Sequence, residues 1–158
     1  MTETPHPHIR IRAAQLDDSA FLMDCAVAMA QETEGRPLQP QRLAHGISTL
    51  LREPARGFYL VAERADTRVG TLMVTYEWSD WRGGDFWWIQ SVYVLPTARR
   101  EGVYAALHTA VRARAQAAGA VGLRLYVEQD NARAQQTYRR LGMTPAHYRL
   151  FEEEFVAP

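Results

Sequence analysis

A short basic stretch that joins a strand-like run to a helix-like run has the clearest chemical character in the chain. Arg99 and Arg100 precede Gly102, and Pro96 ends the apolar run before them. The first N–H groups of a helix have no partner within the helix, and the helix dipole is positive there. A diphosphate can accept hydrogen bonds from those groups, and a glycine lets the backbone come close to it. The stretch predicts an anion site, and its single glycine matches neither a Walker loop nor a dinucleotide fingerprint.

A second segment combines a helix-capping residue with a tyrosine. Asn131, Ala134, Tyr138 and Gly142 follow a strand-like run that ends near Glu128. Asparagine is favoured at the start of a helix and glycine just past its end. The spacing predicts a short helix that presents Tyr138.

The elements that must position these residues follow from hydrophobic periodicity and from turn residues. The order β-α-α-β-β-β-α-β-α-β predicts an α/β (α+β) fold with a mixed, mostly antiparallel central sheet and helices on both faces. The strands are expected at 9–13, 57–63, 69–78, 86–95, 121–127 and 148–155. The helices are expected from the capping residues 17–19 to 34, from 40 to 52, from 101 to 118 and from 131 to 141.

The composition sets limits on the class of protein. The 158 residues, 47% of them hydrophobic, fit one domain, which we place at 9–158 after a flexible tail at 1–8. The 18 basic and 18 acidic residues leave no basic excess, which argues against a nucleic-acid partner. No apolar run reaches the roughly 20 residues of a membrane span, and no secretory signal is visible. A cytoplasmic location without membrane contact is expected.

Cysteine and histidine usage argues against a metal site. Cys25 is the one cysteine and stands among apolar residues, which is typical of a small core side chain. His45, His108 and His147 stand alone, without the spacing of metal ligands. We therefore expect no bound metal.

Together, the two segments resemble motifs of the GNAT superfamily of N-acetyltransferases. The superfamily motif Gln/Arg-x-x-Gly-x-Gly/Ala, after a strand and usually a proline, is similar to residues 99–104. The motif Asn-x-x-Ala-x-x-x-Tyr-x-x-x-Gly-Phe is similar to residues 131–143. The resemblance extends from about Ile9 to Phe155. It has one departure, because Tyr104 stands where glycine or alanine is usual.

The resemblance implies acetyl-CoA as co-substrate. The backbone of one strand would bind the pantetheine arm, the basic loop and helix start would hold the pyrophosphate, and the later helix would lie beside the arm. Tyr138 would lie near the thioester sulfur. The residues implied for this cofactor are Val92, Tyr93, Val94, Arg99, Arg100, Glu101, Gly102, Val103, Tyr104, Ala105, Asn131, Ala134 and Tyr138.

The implied reaction is acetyl transfer to a neutral amine by direct attack in a ternary complex. A strand N–H would polarise the thioester carbonyl, and Tyr138 would protonate the departing thiolate. Gln90 appears where some superfamily members have a glutamate base, and glutamine cannot accept the proton usefully. We expect a water held by Gln90 and Ser91 to pass the proton to a carboxylate, for which the candidates are Glu77, Asp80 and Glu128.

The acceptor is expected to be a small-molecule primary amine, because carboxylates and aromatic faces suit a cation. Acetylation of a protein lysine or N-terminus and a non-catalytic acyl-CoA sensor remain alternatives. The exposed aromatic strands would also suit a homodimer. The residues expected at the acceptor site are Glu32, Glu34, Trp78, Asp80, Trp88 and Glu128.

Overall fold

The computed structural model describes residues 8–158, so that most of the predicted tail at 1–8 lies outside the described residues. One five-stranded sheet runs through the molecule, with its strands side by side in chain order. The first four strands pair antiparallel, and the fifth is parallel to the fourth. The strands are β1 (Ile9–Ala13), β2 (Gly57–Arg64), β3 (Thr67–Ser79), β4 (Gly84–Val94) and β5 (Gly122–Leu125).

Helices cover both faces of this sheet. Leu22 and Ile47 pack with Tyr59 of β2 on one face, whereas Leu107 and Val111 belong to the main core on the other. Burial of these apolar side chains is the main source of stability for such a layered fold. The helices are α1 (Ser19–Glu34), α2 (Pro40–Arg52), α3 (Val103–Ala117) and α4 (Ala132–Arg140), of which α1 and α2 share the first face and α3 lies on the second.

A buried carboxylate ties the start of α1 to the sheet. Asp18 is fully buried, and both oxygens accept hydrogen bonds from Arg12 of β1, at 2.8 and 2.9 Å. Arg68 of β3 donates a further bond of 2.6 Å. The Arg12 hydrogen bond is the main reason that the pKa of Asp18 lies far below its usual range. The cluster fixes α1, whose far end contributes to the site described below.

The single cysteine is a core residue, as the sequence predicted. Cys25 lies on α1 with 3% of its surface exposed. Burial raises the pKa of its thiol to about 12, so that the thiol stays protonated at neutral pH.

The predicted mixed fold and the element order are confirmed as far as α4, and the last strand is wrong. Residues 148–155 form no backbone ladder, and Phe151 and Phe155 are 90% and 88% exposed. A strand needs a partner edge, and β5 offers an edge of only four residues. β5 ends at Leu125, two residues before the predicted end at 127, because the chain leaves the sheet there. The C-terminal segment instead runs past the sheet to α2, where Arg42 donates a hydrogen bond to the Ala157 carbonyl.

Burial is divided unevenly along the chain. Every described residue that is classed as buried lies at or before Ala115, and β5, α4 and the C-terminal segment contain none. No helix within residues 8–158 has the length and apolar character to cross a membrane.

Candidate active site

The centre of the candidate site is a fork between β4 and β5. The two strands pair only where Phe86–Ile89 faces Gly122–Leu125. Beyond Ile89 the edge of β4 that faces away from β3 has no strand partner, although β4 continues to Val94. Free N–H and C=O groups on such an edge are able to bind an extended ligand as another strand would.

A β-bulge lies in β4 just beyond the fork. Met73 of β3 faces Gln90 and Thr71 faces Tyr93, so that two residues of β4 oppose one of β3 between those pairs. Ser91 has a φ of 49°, which is unusual for a residue other than glycine. A bulge leaves the extra residue without its ladder partner and turns the strand. Backbone groups near Ser91 and Val92 are therefore available to a ligand in the fork.

The loop between β4 and α3 turns through two left-handed residues. Arg100 has a φ of 65° and Gly102, the N-cap of α3, has a φ of 79°. No side chain caps this helix end, which leaves the N–H groups of its first turn without that partner. A Cβ built on Gly102 would meet no atom within 4 Å, so the space before the helix is open. The geometry fits the predicted anion site, although α3 begins at Val103 rather than at 101.

Arg99 is held in place by a cluster that the sequence did not reveal. Its Nε donates to the Val94 carbonyl at 3.0 Å, and its guanidinium pairs with Glu32 of α1 at 2.9 Å. The Tyr93 hydroxyl donates to Glu32 at 2.7 Å. The Tyr93 hydrogen bond, and then that of Arg99, lower the pKa of Glu32. Glu32, which was expected at the acceptor site, is thus placed at the anion loop.

The other residues of this loop and of the first turn of α3 differ in exposure and in partners. Arg100 is exposed, whereas Glu101 forms an ion pair with Arg64 of β2. Val103 is 2% exposed and packs in the core, and Ala105 is half-buried. Because the Val103 side chain is buried, this residue offers a ligand only its backbone.

Tyr104, the irregular motif residue, lies on the seam between α3 and α4. Its ring meets the Tyr138 ring edge-on, with the centroids 5.7 Å apart. Arg112 donates to Nε2 of the fully buried His108 at 3.2 Å, so Nδ1 carries the proton and donates to the Tyr104 hydroxyl at 3.3 Å. Arg112 also donates to the Leu141 carbonyl at the end of α4. Tyr104, His108 and Arg112 thus form one stripe of α3 against which α4 rests.

Burial raises the pKa of Tyr138, which keeps its hydroxyl protonated at neutral pH. Its helix α4 begins with the predicted cap, because Asn131 Oδ1 accepts a hydrogen bond from the Ala134 N–H at 3.1 Å. That N–H is therefore already satisfied within the protein. The cap and the Arg112 bond hold both ends of the helix that carries Tyr138.

Gln90 and Glu77 are not brought together. Gln90 lies at the bulge and donates a hydrogen bond to the Thr75 hydroxyl. Glu77 faces Phe86 and forms an ion pair with Arg124 of β5. Gln90 is four positions after Phe86, which is about 13 Å along a strand. The pairing with Arg124 and this separation place Glu77 away from the fork.

The residues expected to bind the acceptor occupy three places. Glu34, at the end of α1, pairs with Arg36 at 2.8 Å. Trp78 and Asp80 line a shallow groove at the tip of the β3–β4 hairpin, which Arg124 also lines. Trp88 stacks against Tyr126 beside the fork, with centroids 4.4 Å apart, and Glu128 is exposed in the following loop. Only the Trp88–Tyr126 pair and the nearby loop adjoin the bulge.

No cluster of metal-ligating side chains is present within the part of the chain that the structure describes. The groups along β4 and the loop that follows it are backbone amides, two arginines and the Trp88–Tyr126 pair. These groups suit an extended thioester ligand with a phosphorylated end.

Comparison with known proteins identifies a family and similar structures. The family model for the acetyltransferase (GNAT) family matches residues 20–143. No curated protein sequence matches the chain. A possible acetyltransferase from Clostridium difficile 630 is 39% identical, with a TM-score of 0.86 over 94% of this chain and 99% of that one.

Two more distant structures share the fold and carry ligands. A predicted acetyltransferase from Clostridium acetobutylicum, solved with acetyl-CoA, is 15% identical with a TM-score of 0.76 over 92% of this chain and 96% of that one. AAC(6')-Iy, in complex with the bisubstrate analogue CoA-S-monomethyl-acetylneamine, is 18% identical with a TM-score of 0.73 over 94% and 99% of the two chains. From the family match and the fold, the chain belongs to the acetyltransferase (GNAT) family.

Proposed function

We propose that this chain transfers the acetyl group of acetyl-CoA to a primary amine of a small molecule. The observation that carries the proposal is the alignment of an unpaired strand edge at β4 with the open, uncapped start of α3. A ligand in which an extended arm is followed by a pyrophosphate needs both features at once. The acetyl-CoA and CoA conjugate bound by the two distant structures support the same ligand class.

The backbone of Val92–Val94 would bind the pantetheine arm along the free edge of β4. Arg100 and the N–H groups from Gly102 onward would hold the pyrophosphate, and Arg99 would approach it while paired with Glu32. Acetyl-CoA supplies an acetyl group activated as a thioester. An N–H group at the bulge would polarise the carbonyl of that thioester, because the extra residue of a bulge lacks its ladder partner.

Tyr138 would donate its proton to the leaving sulfur. An acid must be protonated before it can act, and burial, which raises the pKa of Tyr138, leaves its hydroxyl protonated at neutral pH. The contact with Tyr104, together with the two fixed ends of α4, would limit the positions that its hydroxyl can reach. Tyr104 therefore replaces the usual small residue with a side chain that packs against the proposed acid.

The acceptor amine would approach from the α1 and α2 face, beside Gln90 and the Trp88–Tyr126 pair. Aromatic faces attract a cationic amine, and Gln90, whose amide donates to the Thr75 hydroxyl, would hold a water at the bulge. Glu77 is not part of this proposal, because its ion pair with Arg124 and its distance from the fork disfavour it. The structure favours no single carboxylate as the base.

Calorimetric titration with acetyl-CoA tests the cofactor proposal. The chain should bind acetyl-CoA, and the double change Arg99→Ala with Arg100→Ala should weaken binding about tenfold or more, with a smaller salt dependence. Arg52→Ala with Arg56→Ala, at the end of α2, removes the same charge away from the loop and is the control. No heat of binding at millimolar acetyl-CoA would end the proposal.

Turnover of a panel of amines, followed by release of the CoA thiol, tests the catalytic role. Tyr138→Phe should lower kcat by about a hundredfold or more and leave acetyl-CoA binding unchanged. Tyr76→Phe, on β3 where the ring packs against Trp87, removes the same hydroxyl and should not alter kcat. Binding of acetyl-CoA without turnover of any amine or peptide would instead favour a sensor, and turnover of peptides alone would favour a protein acetyltransferase.

A further inference from the structure

The carboxylate of Glu32 and the ring of Tyr93 form a place that suits a cation, and we call these two groups the cation site. The chain's own Arg99 occupies it, with its guanidinium carbon 5.4 Å from the centroid of the Tyr93 ring and a nitrogen 2.9 Å from Glu32. A carboxylate beside an aromatic face attracts guanidinium and ammonium groups alike. The Glu32 and Arg99 side chains are each 43% exposed, so a ligand from solution can reach the site.

The cation site lies on the same face of the sheet as Gln90. Tyr93 faces Thr71 of β3, and Gln90 faces Met73. Directly opposed residues of two strands share a face, and so do residues that are two apart in one strand. Thr71 and Met73 are two apart, and Met73 packs against the cluster under α1 and α2. The bulge therefore brings Gln90 and Tyr93, three positions apart in β4, onto the face from which the acceptor would approach.

Binding of acetyl-CoA would change the charge balance at this site. In the free chain, Glu32 and Arg99 neutralise each other. A pyrophosphate at the start of α3 competes with the Glu32 carboxylate for the Arg99 guanidinium, because both anions accept the same paired hydrogen bonds. Among residues 8–158, Glu32 Oε2 accepts a hydrogen bond from Arg99 alone, whereas Oε1 also accepts one from the Tyr93 hydroxyl. A shift of Arg99 towards the phosphates consequently leaves Oε2 open to another cation.

The Glu32 carboxylate stays ionised when Arg99 shifts. The main cause of its lowered pKa is the hydrogen bond that Tyr93 donates, and this bond does not depend on Arg99. An ionised carboxylate beside an aromatic ring and a bound pyrophosphate has an excess of negative charge around it. That excess favours a cationic group over a neutral one.

We propose that the cation site binds a second positive charge of the acceptor, which is therefore a diamine or a longer polyamine rather than a monoamine. The inference rests on the proposed function, because it places the reacting amine at the bulge. The amine that attacks the thioester must be neutral, so the charged group that Glu32 holds is a different one. Gln90 and Tyr93 are at most about 10 Å apart along β4, a gap that a short aliphatic chain can cross. Acetyl-CoA and the diamine should each strengthen the binding of the other, since the first draws Arg99 away and the second takes its place.

Calorimetric titration of Glu32→Gln with acetyl-CoA tests the competition for Arg99. This variant should bind acetyl-CoA severalfold more tightly than wild type, because the pyrophosphate no longer competes with a carboxylate. Glu53→Gln breaks an exposed pair with Arg56 just after α2 and should leave the dissociation constant unchanged. Equal or weaker binding by Glu32→Gln would show that Glu32 does not compete for Arg99, and would overturn the proposal.

A matched series of straight-chain diamines and n-alkylamines tests the second charge, with turnover followed by release of the CoA thiol. In wild type, kcat/KM for the best diamine should exceed that for the monoamine of equal length by about tenfold or more, mainly through KM. Glu32→Gln should lose this preference through a higher KM for the diamine, whereas Glu53→Gln should keep it. No preference in wild type, or the same preference in Glu32→Gln, overturns the proposal.

Calorimetry with the same diamines, with and without bound CoA, separates the failure of this inference from the failure of the proposed function. Diamines should bind about tenfold more tightly when CoA is bound, in wild type but not in Glu32→Gln. Binding that depends on Glu32, without turnover of any amine, would end the proposed function and leave the cation site standing. Turnover of monoamines and diamines alike, without this coupling, would end the inference and leave the proposed function standing.

Discussion

The chain up to Ala115 and the chain after it are built differently. Within residues 8–158, the first part holds every buried residue, including Leu60, Leu72 and Leu107 at 0% exposure. The second part holds β5, α4 and residues 144–158, and none of these residues is buried. Since stability comes mainly from apolar burial, the first part supplies nearly all of it. The second part carries Tyr138, so the proposed acid lies on the part with the least packing of its own.

The difference indicates a rigid platform and a closing element. The bulge, the anion loop and the Glu32 cluster belong to the platform, where the cofactor would be recognised. Regions with few buried contacts open locally at low free energy. A ligand in the fork would supply contacts that α4 lacks, so that closure depends on binding.

The largest effect is expected at the buried ion cluster of the platform. Asp18→Asn should lower the free energy of unfolding by about 3–5 kcal/mol, because the fully buried carboxylate loses its charge and the charge-assisted hydrogen bonds that it accepts from Arg12 and Arg68. Urea unfolding followed by circular dichroism measures this change. Asp17→Asn alters the neighbouring exposed carboxylate and should change the stability little. Equal effects of the two changes would show that the platform does not depend on this cluster.

A matched pair of leucines compares the two parts directly. Leu107→Ala should cost about 2–5 kcal/mol, because its side chain is fully buried and leaves a cavity. Leu125→Ala, on the half-buried β5, should cost about 1 kcal/mol, since it removes less buried surface. The same unfolding measurement applies to both variants. A larger cost at Leu125 would contradict the division of the chain into a packed and an open part.

The smallest effect concerns the seam where the two parts meet. Burial, and then the charge of Arg112, lower the pKa of His108. As pH falls below the ordinary value of about 6.5, the unfolded chain gains a proton that the folded chain resists, so the free energy of unfolding decreases. His108→Gln should reduce this loss of stability between pH 7 and 5, whereas His147→Gln at an exposed position should not. An unchanged pH dependence in His108→Gln would show that the seam is not sensitive to protonation.

Much of the platform could be predicted from the sequence, because its signals are local. Gly35 in the left-handed conformation ends α1, Pro40 begins α2, and Gly102 precedes α3. The family match over residues 20–143 confirms the resemblance drawn from the two motifs. The individual site residues remain predictions, since only their positions are described.

The errors lie where structure depends on distant partners. The stretch from 148 to 155 has strand composition, but composition does not show whether a partner edge exists. Glu32 was expected to meet an amine. It pairs instead with Arg99, 67 residues later in the chain, and no local sequence pattern encodes a contact between such distant residues. His108 was noted only as an isolated histidine, and the Tyr104–His108–Arg112 stripe is visible in retrospect as a spacing of four.

The burial of Cys25 also has a redox consequence. Transfer from acetyl-CoA would release CoA with a free thiol, and oxidation of such a thiol with an exposed cysteine would form a mixed disulfide. The reactive form of cysteine is the thiolate, and Cys25 is both 3% exposed and protonated, with a pKa of about 12. Because it is the only cysteine in the chain, the folded protein is protected against covalent capture by its own product.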